Sequence, residues 1–220
     1  MLFHLEGLNK AYSKSSVIVQ ALCGVTLQLD EGDFVAVQGP SGSGKSTLLL
    51  TSGTMLTPDS GSVMIFGQSP YAMTANERAA FRAKNIGFIF QQFHLVPYLT
   101  VFENVQAASL GLRASKRMTN SKVEQLLDQF GITSRSRHFP SELSVGERQR
   151  CCVARSLLND PKLLLADEPC GSLDESNAQI VMQALKRFSK NGGAVLLVTH
   201  DSRATQMADR VMQMQNGVLS

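Results

Sequence analysis

The chain has 220 residues, 43% hydrophobic and 18% charged, which is enough apolar material for a buried core and excludes a wholly disordered chain. Its net charge of +3 is too small for a dedicated nucleic-acid binder, so no nucleic acid is expected as a partner. No apolar run approaches the roughly 18 residues that span a bilayer.

In chain order, Met1-Leu2-Phe3-His4-Leu5-Glu6 lacks a basic stretch ahead of a long apolar one, so secretion is not expected and a cytosolic location is. Short β-like runs follow, with 17–29 rich in Val, Leu and Ile and Phe34-Val35-Ala36-Val37 reading as a buried strand. Asp30-Glu31-Gly32-Asp33 between them reads as a turn. A Gly-rich loop leads into a helical stretch over 47–52, and 62–66 and 86–90 read as further strands. Helical spacing then dominates, over 100–112, 120–130 and 146–158. Strand signals return at 163–166 and 194–198 with a helix over 175–189 between them, and Asn216-Gly217 suits a tight hairpin turn. Short apolar strands alternating with helices predict an α/β fold with a parallel sheet covered on both faces. The helices between about 92 and 158 interrupt that alternation and read as an inserted lobe. The four cysteines, Cys23, Cys151, Cys152 and Cys170, have no C-x-x-C spacing and are expected to be reduced packing residues.

Gly39-Pro40-Ser41-Gly42-Ser43-Gly44-Lys45-Ser46-Thr47 matches G-x-x-x-x-G-K-[ST] between a predicted strand and a predicted helix. Glycines let backbone N–H groups converge on phosphate oxygens, and a helix N-terminus adds favourable potential for the anion. Lys45 is expected to reach the β- and γ-phosphates, and the Ser46 hydroxyl to hold Mg²⁺. Leu163-Leu164-Leu165-Ala166-Asp167-Glu168-Pro169 is an apolar strand ending in two acids. Asp167 suits Mg²⁺ binding through water, and Glu168 suits a general base for the attacking water.

Leu143-Ser144-Val145-Gly146-Glu147-Arg148-Gln149-Arg150 resembles the signature motif of ATP-binding-cassette (ABC) ATPases, L-S-G-G-Q or L-S-G-G-E. The resemblance covers nearly the whole chain: Tyr12, the phosphate loop, Gln91, the signature, the acidic strand end, Ser172-Leu173-Asp174 and Val198-Thr199-His200-Asp201 stand in the family's order. It implies a P-loop NTPase core with an N-terminal antiparallel β subdomain and an inserted α-helical subdomain. The boundaries it suggests make 1–220 one ABC ATPase domain, with 1–91 and 159–220 as core and 92–158 as helical subdomain. In such a family Tyr12 would stack on adenine, although taken alone it reads equally well as an ordinary strand aromatic. Gln91 would coordinate Mg²⁺ and the attacking water. His200 would contact the γ-phosphate and hold Glu168. Ser144, Gly146 and Glu147 would meet the nucleotide held by a second copy, and Ser172 and Asp174 would lie across that interface.

The resemblance therefore implies ATP and Mg²⁺ as cofactors, a homodimer formed on ATP binding, and ATP hydrolysis. Gln91-Gln92-Phe93-His94-Leu95-Val96-Pro97 and the residues up to Val105 look like the macrolide-exporter and lipoprotein-releasing branch. That branch works with a separately encoded integral membrane permease, which would hold the chain on the cytoplasmic face of the membrane. The alternative is a cell-division-like ABC ATPase that regulates a membrane complex and moves no cargo. Val145 departs from the family's first signature glycine. Arg148, where the branch often has Gln, is expected to face solvent. The basic residues Arg113, Lys116 and Arg117 are expected to form a solvated helix face.

Overall fold

The computed structural model describes residues 2–14, 17–112 and 115–220, so Arg113 of the basic cluster lies outside the described residues. The chain runs through β1 (Phe3–Lys14), β2 (Val17–Leu29), β3 (Phe34–Gln38), α1 (Lys45–Ser52), β4 (Ser60–Ile65), α2 (Ala75–Asn85) and β5 (Ile86–Ile89). It continues through α3 (Val101–Gln106), α4 (Lys116–Gln129), α5 (Val145–Leu157), β6 (Leu163–Asp167), α6 (Glu175–Lys190), β7 (Ala194–Thr199), α7 (Ser202–Thr205), β8 (Arg210–Gln215) and β9 (Val218–Leu219).

Two sheets result. β2, β1 and β4 form an antiparallel three-stranded sheet in that order, with Phe3 opposite Leu29 on one side and Ile65 on the other. Its strands alternate: Leu5, Val25, Leu27 and Leu29 are buried while Glu6, Thr26 and Gln28 face out. The second sheet has the order β5-β6-β7-β3-β8-β9, parallel except for β9. Its central strands β3, β6 and β7 are apolar up to their last residues, Gln38, Asp167 and Thr199, because both faces are covered. On β3, β6 and β7, Phe34, Ala36, Leu164, Ala166, Val195 and Leu197 enter one apolar cluster with α4, α5 and α6. Their neighbours Val35, Val37, Leu163, Leu165, Leu196 and Val198 enter a second cluster with α1 and the antiparallel sheet. Each fully buried Leu or Val of this kind contributes about 1.5–3 kcal/mol.

Helices α3, α4 and α5 lie between β5 and β6 in the chain and pack on one another through Val101, Val105, Val123, Leu127 and Val153. The helical run expected over 100–112 stops at Gln106: a single 3₁₀ turn follows, Leu110 is extended and Gly111 takes φ +89°. The helix expected from 120 starts earlier, at Lys116. Two elements fall outside the sequence reading. Helix α2 fully buries none of its residues, with Phe81 partly packed on the core, so its apolar stripe is weak, although Thr74 and Glu77 form a capping box at its start. Strand β8 buries only Met214 and has little apolar signal. Asn216 and Gly217, at φ +49° and +79°, make the tight turn joining β8 to β9.

Strand β7 lies between β3 and β6. The carboxyl ends of these three strands carry the phosphate loop, Thr199-His200 and Asp167-Glu168 side by side, where parallel sheets place ligands.

Candidate active site

The phosphate loop spans the gap between β3 and α1. Gly44 takes φ +108°, and a side chain there would collide with the Ala21 carbonyl of β2, so only glycine lets α1 begin at this point. The loop is braced from far along the chain. The Gly217 N–H donates to the Ser43 carbonyl at 2.9 Å, the Ser43 N–H donates to Pro40 O at 3.2 Å, and the Leu48 N–H donates to Gly44 O at 2.8 Å. Lys45 is 7% exposed, and its ammonium donates to Gly39 O at 2.7 Å and Pro40 O at 2.9 Å. A cation held against the loop backbone suits a ligand carrying several negative oxygens.

Across from the loop, Asp167 ends β6 and hydrogen-bonds Ser46. Burial raises the Asp167 carboxyl above its ordinary value. The Ser46 hydrogen bond opposes this, Glu168 adds to it, and Lys45 opposes it more weakly. Glu168 is 8% exposed and sits at φ +45°, a conformation that costs a non-glycine residue energy. Its carboxylate is held by two donors and a histidine ring nitrogen. Thr199 Oγ1–H donates to Oε2 at 2.7 Å, the His200 N–H donates to Oε1 at 2.8 Å, and His200 Nδ1 lies 2.7 Å from the same oxygen. Three fixed partners aim a strained carboxylate, which is the preorganisation that proton abstraction from water needs.

Ser41, Gly42, Gly44, Lys45, Ser46, Thr47, Gln91, Asp167, Glu168 and His200 line one cleft of about 360 Å³, with Ala21 of β2 as a wall. Gly39, Pro40 and Ser43 form the loop beneath it, and Ser43 is buried. Tyr12 is exposed on β1, paired with Val19, and does not line the cleft.

Ser144, Gly146, Glu147 and Asp174 do not line the cleft either. Ser144 caps α5, accepting from the Glu147 N–H at 3.2 Å while its own N–H donates to Glu147 at 2.8 Å. Arg135 Nε donates to the other Glu147 oxygen at 2.8 Å. The Arg135 hydrogen bond, with those of the Ser144 cap, holds the Glu147 carboxyl at about 2 instead of 4.5. A carboxylate depressed on folding contributes stability above its unfolded value, lost as pH falls from about 4.5 toward 2. Glu147→Gln is therefore expected to flatten the acid side of the stability curve below pH 4.5, read by circular dichroism, and an unchanged slope would remove the ion pair from the account. Asp174 caps α6 and is held at about 2, chiefly by the Asn177 N–H and then by Ser176 and the Asn177 side chain.

Arg148 does not simply face solvent: its guanidinium lies 5.7 Å over the Phe93 ring, in the segment that follows Gln91. Arg155 also reaches that segment, donating to the carbonyls of His94 at 2.7 Å and Phe93 at 2.6 Å. Burial pushes the thiols of Cys151 and Cys170 up to about 12 and of Cys152 to about 11, so they are protonated packing groups. All four cysteines are free thiols. Sequence reasoning missed Ala21, which carries no motif, and the site roles of Thr199 and Gly217, which it read only as part of the His200 motif and as a turn residue.

The ABC transporter family model matches residues 22–171. A lipoprotein-releasing system ATP-binding protein, LolD 1, of Rhodopirellula baltica is 45% identical over 92% of this chain and 90% of its own length. The LolD protein of Shewanella oneidensis is 38% identical over 100% of this chain and 96% of its own. A macrolide export ATP-binding/permease protein, MacB, of Bdellovibrio bacteriovorus is 38% identical over 99% of this chain, which spans 33% of that longer protein. Among solved structures, the ATP-binding cassette MJ0796, in a dimeric post-hydrolysis state bound to ADP and Pi, has a TM-score of 0.93 at 33% identity, covering 100% of this chain and 98% of that one.

Proposed function

The chain belongs to the ABC transporter family, and from that premise we propose how its residues work as an ATP-binding and ATP-hydrolysing subunit of the LolD/MacB type. One observation carries the reading. Lys45, Ser46, Gln91, Asp167, Glu168 and His200 share a cleft that the signature residues of the same chain do not reach. Each chain thus holds one half of two different sites, and a two-fold pair of chains supplies two complete ones. The dimeric state of the MJ0796 cassette supports this arrangement.

ATP enters the cleft with its phosphates on the loop amides and Lys45, beneath the N-terminus of α1. The partner's signature then closes on the γ-phosphate through the Ser144 hydroxyl and the N-terminal amides of α5. Glu168, held by Thr199 and His200, accepts the proton of the attacking water, while Lys45 and the signature amides stabilise the charge on the transferring group. Release of the γ-phosphate removes the bridge, and the dimer opens.

The oxygen donors Ser46 and Asp167, hydrogen-bonded to each other, with the Gln91 amide in the same cleft, fit a hard cation such as Mg²⁺. These residues would hold it, and when bound it neutralises phosphate charge.

We assign the partner as an integral membrane permease, which would keep the chain at the cytoplasmic face of the membrane. Among the described residues no helix is long and apolar enough to cross a membrane. The residues flanking Gln91 would supply a docking surface. Phe88 and Phe90 stack at 5.4 Å, His94 meets Phe90 edge-on at 5.1 Å, and with Leu110 and Arg155 they line a groove of about 480 Å³. Residues 92–158 would move as a lobe, carrying His94, Leu110 and Arg155 of this groove relative to Phe88 and Phe90 of the core.

The reading is tested by phosphate release from the purified chain with ATP and Mg²⁺ and by isolation of the tagged chain from detergent extract. Hydrolysis that saturates with ATP and co-purification of a permease are expected, and absence of hydrolysis would overturn it. Val145 is 38% exposed at the first turn of α5. Val145→Gly is expected to keep the turnover rate or raise it, since a glycine brings the backbone closer to phosphate. Complete loss of hydrolysis would show that the Val145 side chain does something this mechanism lacks.

A further inference from the structure

Within one chain, the signature helix is bonded to the segment that carries the proposed base. Gln149, 1% exposed on α5, donates Nε2–H to the Pro169 carbonyl at 2.8 Å, directly after Glu168. The next residue on the helix, Arg150, donates to Asn177 Oδ1. The Asn177 amide donates in turn to Asp174 Oδ2 at 2.7 Å, while its backbone N–H donates to Asp174 Oδ1 at 2.9 Å. Gly146 lies flat against the same carboxamide, where any β-carbon would collide with it. Residues 168–174 are themselves tied together: the Gly171 N–H donates to Glu168 O at 3.2 Å, and the Leu173 N–H donates to Cys170 O at 3.1 Å. A path of contacts and hydrogen bonds therefore runs from Gly146 and Arg150 of the signature helix, through Asn177 and Asp174, back to Glu168.

In the sandwich proposed above, the two ends of this path serve different nucleotides. The signature meets the partner's ATP, and Glu168 acts on the chain's own. We propose that Asn177 is a positioning residue that couples the two nucleotide sites, locking the start of α5 to Asp174 and thereby to the loop that carries Glu168. Seating of the partner's γ-phosphate on Ser144 and the adjoining amides then fixes the loop that orients water in the other site. The inference rests on the two-chain reading, and it adds a residue that neither the signature nor the acidic motif contains. Asn177 suits the task because a carboxamide both accepts from Arg150 and donates to Asp174, which neither an aliphatic nor a carboxylate side chain can do.

The experiment is steady-state ATP hydrolysis with ATP as the varied ligand, on the parent, Asn177→Ala, Arg150→Ala and the double variant. Thermal melting of each is recorded alongside. The parent is expected to show a Hill coefficient above 1. Asn177→Ala is expected to lower kcat about tenfold, leave the half-saturating ATP concentration within about twofold, and bring the Hill coefficient toward 1. Arg150→Ala should reproduce this, and the double variant should be no slower than either single one, because both cut one path. In a Glu168→Gln background, Asn177→Ala should still form the ATP-held dimer, which a merely unfolded signature helix could not. Parental kcat and cooperativity in Asn177→Ala would overturn the coupling alone, as would loss of kcat together with the dimer. A parent that neither hydrolyses ATP nor dimerises would overturn the sandwich reading itself.

Discussion

Glu168→Gln is expected to reduce ATP turnover by about 100-fold or more while nucleotide binding persists, because a positioned general base contributes about 10²–10⁴-fold. The structure makes the substitution informative. Both carboxylate oxygens of Glu168 accept hydrogen bonds, one from Thr199 and one from the His200 backbone, with the His200 ring beside it. Glutamine keeps one acceptor oxygen for the His200 N–H, and its NH₂ can donate to the Thr199 hydroxyl, so the side chain stays in place while the proton acceptor is lost. The phosphate loop is not involved in those bonds, so the binding half of the site stays intact. Phosphate release and titration with a fluorescent ATP analogue, run on the same sample, separate the two effects. Turnover at the parental rate would mean that another group takes the proton from water.

Lys45→Ala is expected to weaken ATP binding by about 10- to 100-fold, the equivalent of one or two charge-assisted hydrogen bonds to phosphate. The fold should tolerate the change. Lys45 contributes two bonds to the carbonyls of Gly39 and Pro40, and the loop remains braced by Gly217, by its own Ser43–Pro40 turn and by the first turn of α1. Calorimetric titration with ATP checks the affinity, and a thermal melt checks the fold. Unchanged affinity would contradict the role given to the loop cation.

What could be read from the sequence was what depends on local spacing. The Gly39–Thr47 loop, the apolar run into Asp167-Glu168 and the strand ending at Thr199 are each contiguous, and each occupies the strand end that its pattern implies. The order of those strands could not be read this way. β7 lies between β3 and β6 although it follows both in the chain, and this interleaving sets His200 beside Glu168. Contacts across long separations were equally silent. Ala21 walls the cleft from β2, and Gly217 supports Ser43 from the last hairpin. Helix α2 fully buries no residue, with Phe81 only partly packed on the core, so its apolar periodicity is weak and its capping box is the clearer signal. Helix α3 ends early because the 3₁₀ turn and Gly111 redirect a chain whose apolar spacing continues. Arg148 was read as solvated because its partner, Phe93, lies on a loop whose position no pattern specifies. The signature's place outside the cleft has the same origin: spacing says that the motif starts a helix, and only the fold says that its first residues do not line the chain's own phosphate cleft.

The most direct measurement is the mass of the Glu168→Gln chain in solution by light scattering, with and without ATP and Mg²⁺. The account predicts the 23.9 kDa of a single chain without nucleotide, twice that mass with ATP, and a return to the single-chain mass when Lys45→Ala is added. A species that keeps the mass of one chain at saturating ATP would contradict it.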